Sequence, residues 1–235
     1  MIAKFNKKGD TKIGAIWSFS TLMGNEPVHI DYNGVKCDVV GTCGGYCEGC
    51  KKSCYVRNSY RYPSVKYGHA WNTLAIRDDI ESAYNDLEGQ LKRARNKPNA
   101  VRIHVSGEFE SMQELNMWNK LAKAFPNITF YVYSKAYDIM DDYFTNNTLA
   151  ANFIVNVSIW HEYGIMFFMK WRNLKNIRAF VYDDGYEYRK FGIYSDSRCP
   201  AYDSNGKAID GVTCQKCGLC MGRRENKKVT FCAAH

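Results

Sequence analysis

Short segments in which apolar and polar residues alternate are separated along this chain by stretches of helical periodicity. Strict alternation is typical of a strand, whereas apolar residues three and four positions apart indicate an amphipathic helix. The pattern predicts strands at Ile13–Ser20, Val101–Ser106, Ile128–Ser134, Phe153–Trp160 and Ile177–Tyr182, and an Asn33-Gly34 hairpin within Val28–Val40. It predicts helices at His69–Arg95, with a break inside it, and at Met112–Phe125, Ala136–Phe144 and Ile165–Leu174. This order favours parallel strands joined by crossover helices.

The predicted strands have one apolar face and one face rich in hydrogen-bonding groups, because alternate side chains lie on opposite sides of a sheet. The polar set is Arg102, His104, Ser106, Thr129, Tyr131, Tyr133, Lys135, Asn156, Ser158 and Trp160. Parallel strands covered on both sides usually read as continuous apolar runs. We therefore expect an α/β fold, a partial parallel (βα) barrel of about six strands with a polar lumen that holds a ligand. An open sheet with one solvated face is the alternative.

Eight of the ten cysteines form two compact groups. The N-terminal cysteine group is Cys43, Cys47, Cys50 and Cys54, and the C-terminal cysteine group is Cys199, Cys214, Cys217 and Cys220. Thiolates separated by a few loop residues can bind one metal centre without strain, so each group predicts an iron–sulfur cluster or a structural zinc site. Disulfides are disfavoured in a reducing compartment. Cys37 and Cys232 are either ordinary buried thiols or, with Cys47, ligands of a third cluster.

Length and composition indicate one globular domain that works in the cytoplasm. The 235 residues suffice for a hydrophobic core. The longest apolar run, Ile165–Met169, is far shorter than the roughly 20 residues that cross a bilayer, and the polar N-terminus predicts no secretory signal. We expect an N-terminal hairpin and cluster loop at residues 1–54, a βα core at 55–190 and an irregular, cysteine-rich cluster-binding segment at 191–235.

The formal net charge of +8 is only a weak argument for nucleic-acid binding. A [4Fe-4S] cluster with four thiolates carries a charge of about −2, so two clusters would reduce the total to about +4. Basic segments remain at Lys92–Lys97 and at residues 223–228, and tyrosines lie near Arg57 and Arg61. These segments could contact phosphates, but a solvated charged surface is the more frequent explanation of such segments.

Several stretches of the sequence are similar to one family. They are Trp17-Ser18-Phe19-Ser20, the spacing Cys43-x6-Cys50-x3-Cys54, residues 102–109, residues 130–135 and residues 212–220. Together they resemble the phage-encoded "gene product 88" domain family of radical-SAM-like iron–sulfur proteins (SAM is S-adenosylmethionine), and the resemblance covers most of the chain. It implies a TIM-barrel-like fold as in radical SAM proteins, two [4Fe-4S] clusters, SAM as a candidate cofactor and the host cytoplasm as the location.

The N-terminal cysteine group contains two overlapping spacings. Cys43-x3-Cys47-x2-Cys50 is similar to that of radical SAM enzymes, where three thiolates leave one iron open for SAM, whereas the resemblance to the gene product 88 family implies the trio Cys43, Cys50 and Cys54. Three thiolates would leave a reactive iron, and four would close every iron site. The sequence leaves both arrangements open.

The segment Ser106-Gly107-Glu108 ends a predicted strand. Similarity to radical SAM enzymes implies that it binds the amino group of SAM, since a carboxylate and carbonyls beside a glycine suit an ammonium ion. A surface glutamate before a helix capped at Ser111 is the alternative.

Lys135, Tyr133 and His104 are the candidate catalytic residues, because catalytic groups of α/β barrels gather at the carboxyl ends of strands. Lys135 could neutralise a carboxylate or a reduced cluster. His104 could instead be a hydrogen-bonded core histidine.

We therefore expect an iron–sulfur redox protein, most simply a radical-SAM-like oxidoreductase or transferase with an auxiliary C-terminal cluster. Such an enzyme needs a reductant protein of the ferredoxin or flavodoxin type. One alternative is an iron–sulfur barrel protein that does not bind SAM and transfers electrons. Another is a nucleic-acid-binding protein with structural clusters. No motif identifies the substrate.

Overall fold

The computed structural model describes residues 2–8, 13–24, 27–32, 34–45, 50, 54–183, 185–195, 197–205 and 207–233, with the backbone alone at 32, 35, 161 and 233. The strands are β1 (Trp17–Ser18), β2 (Pro27–Tyr32), β3 (Val35–Val40), β4 (Ala100–Ile103), β5 (Thr129–Ser134), β6 (Phe153–Ile159), β7 (Ile177–Asp183), β8 (Ser197–Arg198) and β9 (Val229–Ala233). The α-helices are α1 (Val56–Ser59), α2 (Pro63–Asp78), α3 (Ile80–Lys92), α4 (Met112–Ala124), α5 (Tyr137–Asn146), α6 (His161–Trp171) and α7 (Cys214–Cys217). Short 3₁₀ helices lie at Tyr188–Phe191 and Leu219–Met221.

Within the described residues, seven strands form one sheet in the order β1-β4-β5-β6-β7-β9-β8. Every neighbouring pair of this sheet is parallel. From β4 to β7 the order in the sheet follows the order in the chain, and right-handed crossovers then place the connecting helices on the same face. The predicted α/β class with parallel strands is confirmed. No pairing in the described part of the chain joins the edge strands β1 and β8.

One face of the sheet packs against helices and forms the main hydrophobic core. Val101, Ile103, Phe130 and Val132 from the strands pack in one buried cluster with helical side chains such as Trp118. The apolar face predicted from the alternation is therefore the face that packs against the helices, as expected from the period of two. Burying these large side chains is the main favourable contribution to stability on this face.

The predicted hairpin is present as the antiparallel pair β2–β3, apart from the main sheet. Its turn residue Asn33 lies outside the described residues, while Gly34 has a φ of 78°. Leu22, Val28 and Val39 form a second buried cluster with Ala70 of α2. This packing fixes the loop that follows β3, which carries Cys43.

The break expected within the long helical segment lies at Asp79. Several boundaries differ from the predictions: the first strand is confined to Trp17–Ser18, the long helical segment begins at Pro63, β4 ends at Ile103, and α6 begins at His161. Asp79 caps α3 by accepting hydrogen bonds from Glu81 N and Ser82 N, which explains the break. The C-terminal segment also adds β9 between β7 and β8 where we expected irregular structure. None of the helices in the described residues is long and apolar enough to span a membrane.

Candidate functional site

The polar face of the sheet borders a cavity of about 1650 Å³. Strand side chains that line it include Arg102, Tyr131, Tyr133, Ser158, Phe180, Tyr182, Thr230 and Cys232. Lys135 and Trp160, just beyond two strand ends, also line it, as does the segment from Ser106 to Glu108. All the cysteines of the two groups that the structure describes are part of the lining: Cys43, Cys50, Cys54, Cys199, Cys214, Cys217 and Cys220. Residues from opposite ends of the chain therefore meet in one cavity.

Cys43, Cys50 and Cys54 of the N-terminal cysteine group lie between β3 and α1 in the chain. Cys43 N donates to Gly24 O at 3.3 Å, and Cys54 Sγ lies 3.5 Å from Met23 Sδ. Burial raises the pKa of Cys43 to about 12, and the charges of Glu108, Cys54 and Cys50 add to the effect. Cys43, Cys50 and Cys54 are thus close enough to interact electrostatically. Cys47 lies outside the described residues.

The C-terminal cysteine group is held on the sheet by α7 and the turn that follows it. Thr213 caps α7, accepting a hydrogen bond from Lys216 N at 3.3 Å. Asn156 Nδ2 of β6 donates to Cys220 O at 2.9 Å, and Cys199 N donates to Phe231 O of β9 at 2.7 Å. The loop-rich C-terminal segment therefore depends on β6 and β9 for its position.

Cys220 is enclosed by groups that respond to its charge. Burial raises its pKa to about 12; a hydrogen bond from Tyr133 opposes this, and the charges of Cys199, Cys214 and Cys217 add to it. The four cysteines of this group therefore surround a common space. Thiolates with this degree of burial need a metal centre or nearby donors to be stable.

Two buried polar atoms without a hydrogen-bond partner indicate whether an anionic cluster fits beside the C-terminal cysteine group. Arg102 Nε and the Tyr131 hydroxyl are buried and have no hydrogen-bond partner among the described residues. Burial opposes the charge of Arg102, but interactions with Tyr55, Tyr133, Tyr131 and Cys214 raise its pKa. Arg102 Nη2 donates to the Tyr55 hydroxyl at 3.0 Å, and its Cζ lies 4.7 Å from the centre of the Tyr133 ring. Within the described part of the chain, Arg102 has no carboxylate in ion-pair contact. A buried cation without an anion is costly, so the residues present fit a negatively charged cluster on the C-terminal cysteine group.

The nine cysteines of the described residues are free thiols. Within the described residues, no group of three or more His, Cys, Asp or Glu side chains converges closely enough to hold one metal ion. In a [4Fe-4S] cluster each thiolate binds a different iron, so the ligand sulfurs lie farther apart than those around a single ion.

Gly107 is placed where only glycine fits. Its φ is 83°, and a Cβ at this position would overlap the hydroxyl oxygens of Thr21 and Thr42. Thr42 Oγ1 in turn accepts a hydrogen bond from Glu108 N at 2.8 Å. Through Thr42, which directly precedes Cys43, the Ser106–Glu108 segment positions the start of the N-terminal cysteine loop.

Glu108 already has several hydrogen-bond donors. Its Oε1 accepts from Ser134 Oγ at 2.8 Å and from Phe109 N at 3.0 Å, and its Oε2 accepts from Lys135 N at 2.6 Å. Burial raises the pKa of Glu108, while His104 and these hydrogen bonds oppose the shift. The carboxylate thus joins the end of β5 to the turn after β4, and it retains little capacity for a further ligand.

The three candidate catalytic residues have different surroundings. Lys135 Nζ donates to Cys50 Sγ at 3.0 Å and lies 4.8 Å from the centre of the Trp160 ring. Tyr133, two residues earlier on β5, contacts the other group through Cys220. Strand β5 therefore connects the two cysteine groups.

His104 borders the cavity, but its side chain is buried among other groups, with Nδ1 3.2 Å from Thr21 Oγ1. Its side chain is 0% exposed, and its Nε2 lies 3.0 Å from Glu114 Oε1 without a well-aligned hydrogen bond. Burial opposes the imidazolium, but Glu114, followed by Glu108, outweighs it and raises the pKa of His104. This arrangement favours the alternative of a core histidine.

Sequence reasoning missed a polar cluster beside Cys54. The Tyr60 hydroxyl lies 3.1 Å from His69 Nδ1 and 3.2 Å from Ser106 Oγ, and it accepts a hydrogen bond from Met23 N at 3.0 Å. Burial lowers the pKa of His69 to about 4, so this imidazole is neutral near pH 7. Tyr60 and His69 are nine residues apart on separate helices, and no spacing rule joins them.

Cys37 and Cys232, which belong to neither cysteine group, lie in different surroundings. Cys37 packs against the cluster formed by the hairpin and α2, and it is not part of the cavity lining. Cys232 of β9 is buried, at 1% exposure, and lines the cavity. Their positions favour an ordinary thiol at Cys37.

Comparison with known proteins identifies the family. The Gene product 88 family matches residues 3–223. The chain is 24% identical over 253 aligned positions to the Gene 88 protein of Mycobacterium phage L5, covering 96% of this chain and 97% of that protein. No solved structure matches the chain. The match extends over nearly the whole sequence, and the chain belongs to the Gene product 88 family.

Proposed function

We propose that this protein is an iron–sulfur redox enzyme of the radical-SAM-like type. One [4Fe-4S] cluster is held by the N-terminal cysteine group with one iron open to SAM, and an auxiliary cluster is held by the C-terminal cysteine group. The observation that carries the proposal is that both groups line one cavity on the polar face of a parallel sheet. The enzyme works in the host cytoplasm and takes electrons from a ferredoxin- or flavodoxin-type protein.

The strand order supports the finer part of the fold proposal, a partial TIM-like barrel. Strands β4 to β7 follow one another in the sheet as they do in the chain, as in singly wound βα barrels. Helices pack on the outer face, and the candidate ligands lie on the inner one. The cavity also borders the carboxyl ends of β4, β5 and β6, where barrel enzymes place their chemistry.

The residues of the chain have separate roles in this proposal. Cys43, Cys50 and Cys54 hold the first cluster, and Lys135, which donates to Cys50, compensates its negative charge. Bound SAM and the open iron would supply one-electron radical chemistry, which the protein itself does not. Gly107 leaves room for the backbone to approach, and Glu108 fixes the loop beside it.

The hydrogen bonds that Glu108 accepts favour a second candidate function. In it, the protein has the same fold and binds iron–sulfur clusters but does not bind SAM. Both carboxylate oxygens of Glu108 already accept hydrogen bonds, although the resemblance to radical SAM enzymes assigns this segment to the amino group of SAM. If Cys47 is a fourth ligand, the first cluster has no open iron. The protein would then store or transfer electrons.

One experiment separates these candidates. Protein purified without oxygen is analysed for iron and sulfide, reduced with dithionite and examined by EPR with and without SAM. A Cys37→Ser variant serves as a control, because Cys37 lies outside the cavity lining. A cluster signal that changes with SAM supports the radical enzyme. A signal indifferent to SAM supports the second candidate, and zinc without iron or sulfide overturns both.

A further inference from the structure

A segment beside the N-terminal cysteine group has cations and tyrosines but no acidic residue. Residues 49–77 contain no Asp or Glu, although the chain has 24 in 235 residues. The same segment contains Lys51, Lys52, Arg57, Arg61, Lys66 and Arg77, together with Tyr55, Tyr60, Tyr62 and Tyr67. Such a run of one sign of charge with interleaved aromatics is unusual for a solvated helix surface, where both signs are normally mixed.

The structure places the described part of this segment at the cavity. We call Tyr55, Arg57, Arg61, Tyr62, Lys66 and Tyr67 the tyrosine-basic rim; all but Arg61 are part of the cavity lining. Tyr62 is 54% exposed and Tyr67 is 50% exposed, so their rings are accessible from solvent. Arg61 belongs to the rim because its Cζ lies 5.0 Å from the centre of the Tyr62 ring.

Two cations of the rim, Arg61 and Lys66, differ from the paired cations of the described residues. Cations outside the rim that form an ion pair with an Asp or Glu are Arg77, Lys92, Lys120, Lys170, Lys175, Lys190 and Arg198. Within the described residues, Arg61 and Lys66 take part in no ion pair. The acidic side chain among the lining residues, Glu108, is buried and hydrogen-bonded. This part of the cavity lining therefore attracts anions.

We propose that the tyrosine-basic rim binds single-stranded nucleic acid and presents a nucleotide to the cavity between the two cysteine groups. This names the substrate class of the proposed function and rests on that function for the chemistry in the cavity. The cations of the rim contact phosphates, and the exposed faces of Tyr62 and Tyr67 stack on bases. An acidic peptide would satisfy the cations but would leave the tyrosine faces without stacking partners.

The depth of the cavity selects a single strand over a duplex. The cysteines lie inside a concave site, and a paired base in a duplex cannot reach a reactive centre unless it leaves the stack. A single strand presents its bases without that cost. Deoxyribose and ribose strands share the phosphate and base chemistry, so the test includes both.

The test measures fluorescence anisotropy of labelled oligothymidine and oligouridine, each of about 20 nucleotides, against the anaerobically purified chain. Two rim variants are compared: Tyr62→Ala with Tyr67→Ala, and Arg61→Gln with Lys66→Gln. The matched controls change exposed residues elsewhere: Tyr163→Ala with Tyr194→Ala, and Lys120→Gln with Lys170→Gln. The iron and sulfide contents of all variants are measured in parallel.

We expect the tyrosine variant to bind at least about tenfold more weakly, since each stacked base contributes appreciably to single-strand affinity. The cation variant should reduce the slope of log affinity against log salt by about 1.4, or about 0.7 for each lost phosphate contact. The control variants should stay within about twofold of the parent chain. A duplex of the same length should bind at least about tenfold more weakly than the single strand.

Equal losses in rim and control variants, tighter binding of the duplex, or displacement of the oligonucleotide by polyglutamate at equal charge would overturn the inference. If the chain holds clusters but binds no oligonucleotide at about 50 mM salt, this inference fails and the proposed function stands. If the rim binds oligonucleotide in a chain that lacks iron and sulfide, the proposed function fails and the nucleic-acid surface stands. The two failures are therefore distinguishable.

Discussion

The two cysteine groups line the same cavity, yet the protein supports them in different ways. In the N-terminal cysteine group, Lys135 Nζ donates to Cys50 Sγ, and the backbone carbonyl of Gly24 accepts from Cys43 N. The C-terminal cysteine group lies against the sheet, where Tyr133 donates to Cys220. The orphaned donors Arg102 Nε and Tyr131 hydroxyl lie in the lining beside it.

This difference matches the two roles in the proposed function. A cluster that admits a ligand needs free space beside it, and the cavity lined by Cys43, Cys50 and Cys54 provides that space. A cluster that passes electrons benefits from enclosure and from donors that stabilise its charge. Each group has four cysteines, so the difference between the groups lies in the residues that contact those cysteines.

The largest expected effect comes from removing each pair of ligands in turn. Cys50→Ser with Cys54→Ser and Cys214→Ser with Cys217→Ser should each remove about half of the bound iron, because thiolates are the preferred ligands. The first variant should abolish the EPR response to SAM, and the second should keep it. Loss of all iron in either variant, or loss of the SAM response in the second, would show that the groups are not independent.

Replacing a glycine by alanine should lower the free energy of unfolding by different amounts beside the two cysteine groups. Gly107→Ala should destabilise the protein by about 3 kcal/mol or more, because its φ is 83° and the Cβ would overlap two buried threonine hydroxyls. Gly218→Ala, beside the C-terminal cysteine group, should cost about 1 kcal/mol, because its φ is 69° but the obstructing Arg223 side chain can move. Urea unfolding measures both. Gly44→Ala is the control, since nothing lies within 4 Å of its Cβ position; equal costs for Gly107 and Gly218 would contradict the comparison.

The alternation along the strands predicted part of the cavity lining. Arg102, Tyr131 and Ser158 line it as expected from the period of two, whereas Thr129 and Asn156 do not. His104 also borders the cavity, but β4 ends at Ile103 and His104 has a φ of 49°. A positive φ ends the alternation and turns the side chain towards Glu114.

The part of the cavity that the C-terminal segment forms could not be predicted from alternation. Strand β9 pairs with Ala179–Asp183 of β7, about fifty residues earlier, and such a long-range pairing leaves no local signature. The cluster of Tyr60, His69 and Ser106 likewise depends on a contact between the Tyr60 hydroxyl and Ser106, which are 46 residues apart in the chain. The cysteine spacings were sufficient to predict each group, but not that the groups would share one cavity.

A smaller effect should be visible in the pH dependence of stability beside the N-terminal cysteine group. Burial lowers the pKa of His69 to about 4, so the unfolded chain takes up a proton below about pH 6.5 while the folded chain does not. The parent chain should therefore lose about 1 kcal/mol more stability than His69→Gln between pH 7 and 5.5. Urea unfolding at both values measures this. Tyr60→Phe keeps the burial and should keep the pH dependence; an identical loss in His69→Gln would contradict the assignment.

The smallest expected effect is also the most direct comparison of the two groups. Lys135→Met removes the cation that contacts Cys50, and Arg102→Met removes the cation in the lining beside the C-terminal cysteine group. Each should lower the reduction potential of its own cluster by about 30 mV, because a nearby positive charge stabilises the reduced, more negative state. EPR-monitored redox titration resolves the two midpoints, and each variant is the control for the other. If both variants shift the same midpoint, the two groups share one electrostatic environment and the distinction between an open and an enclosed cluster fails.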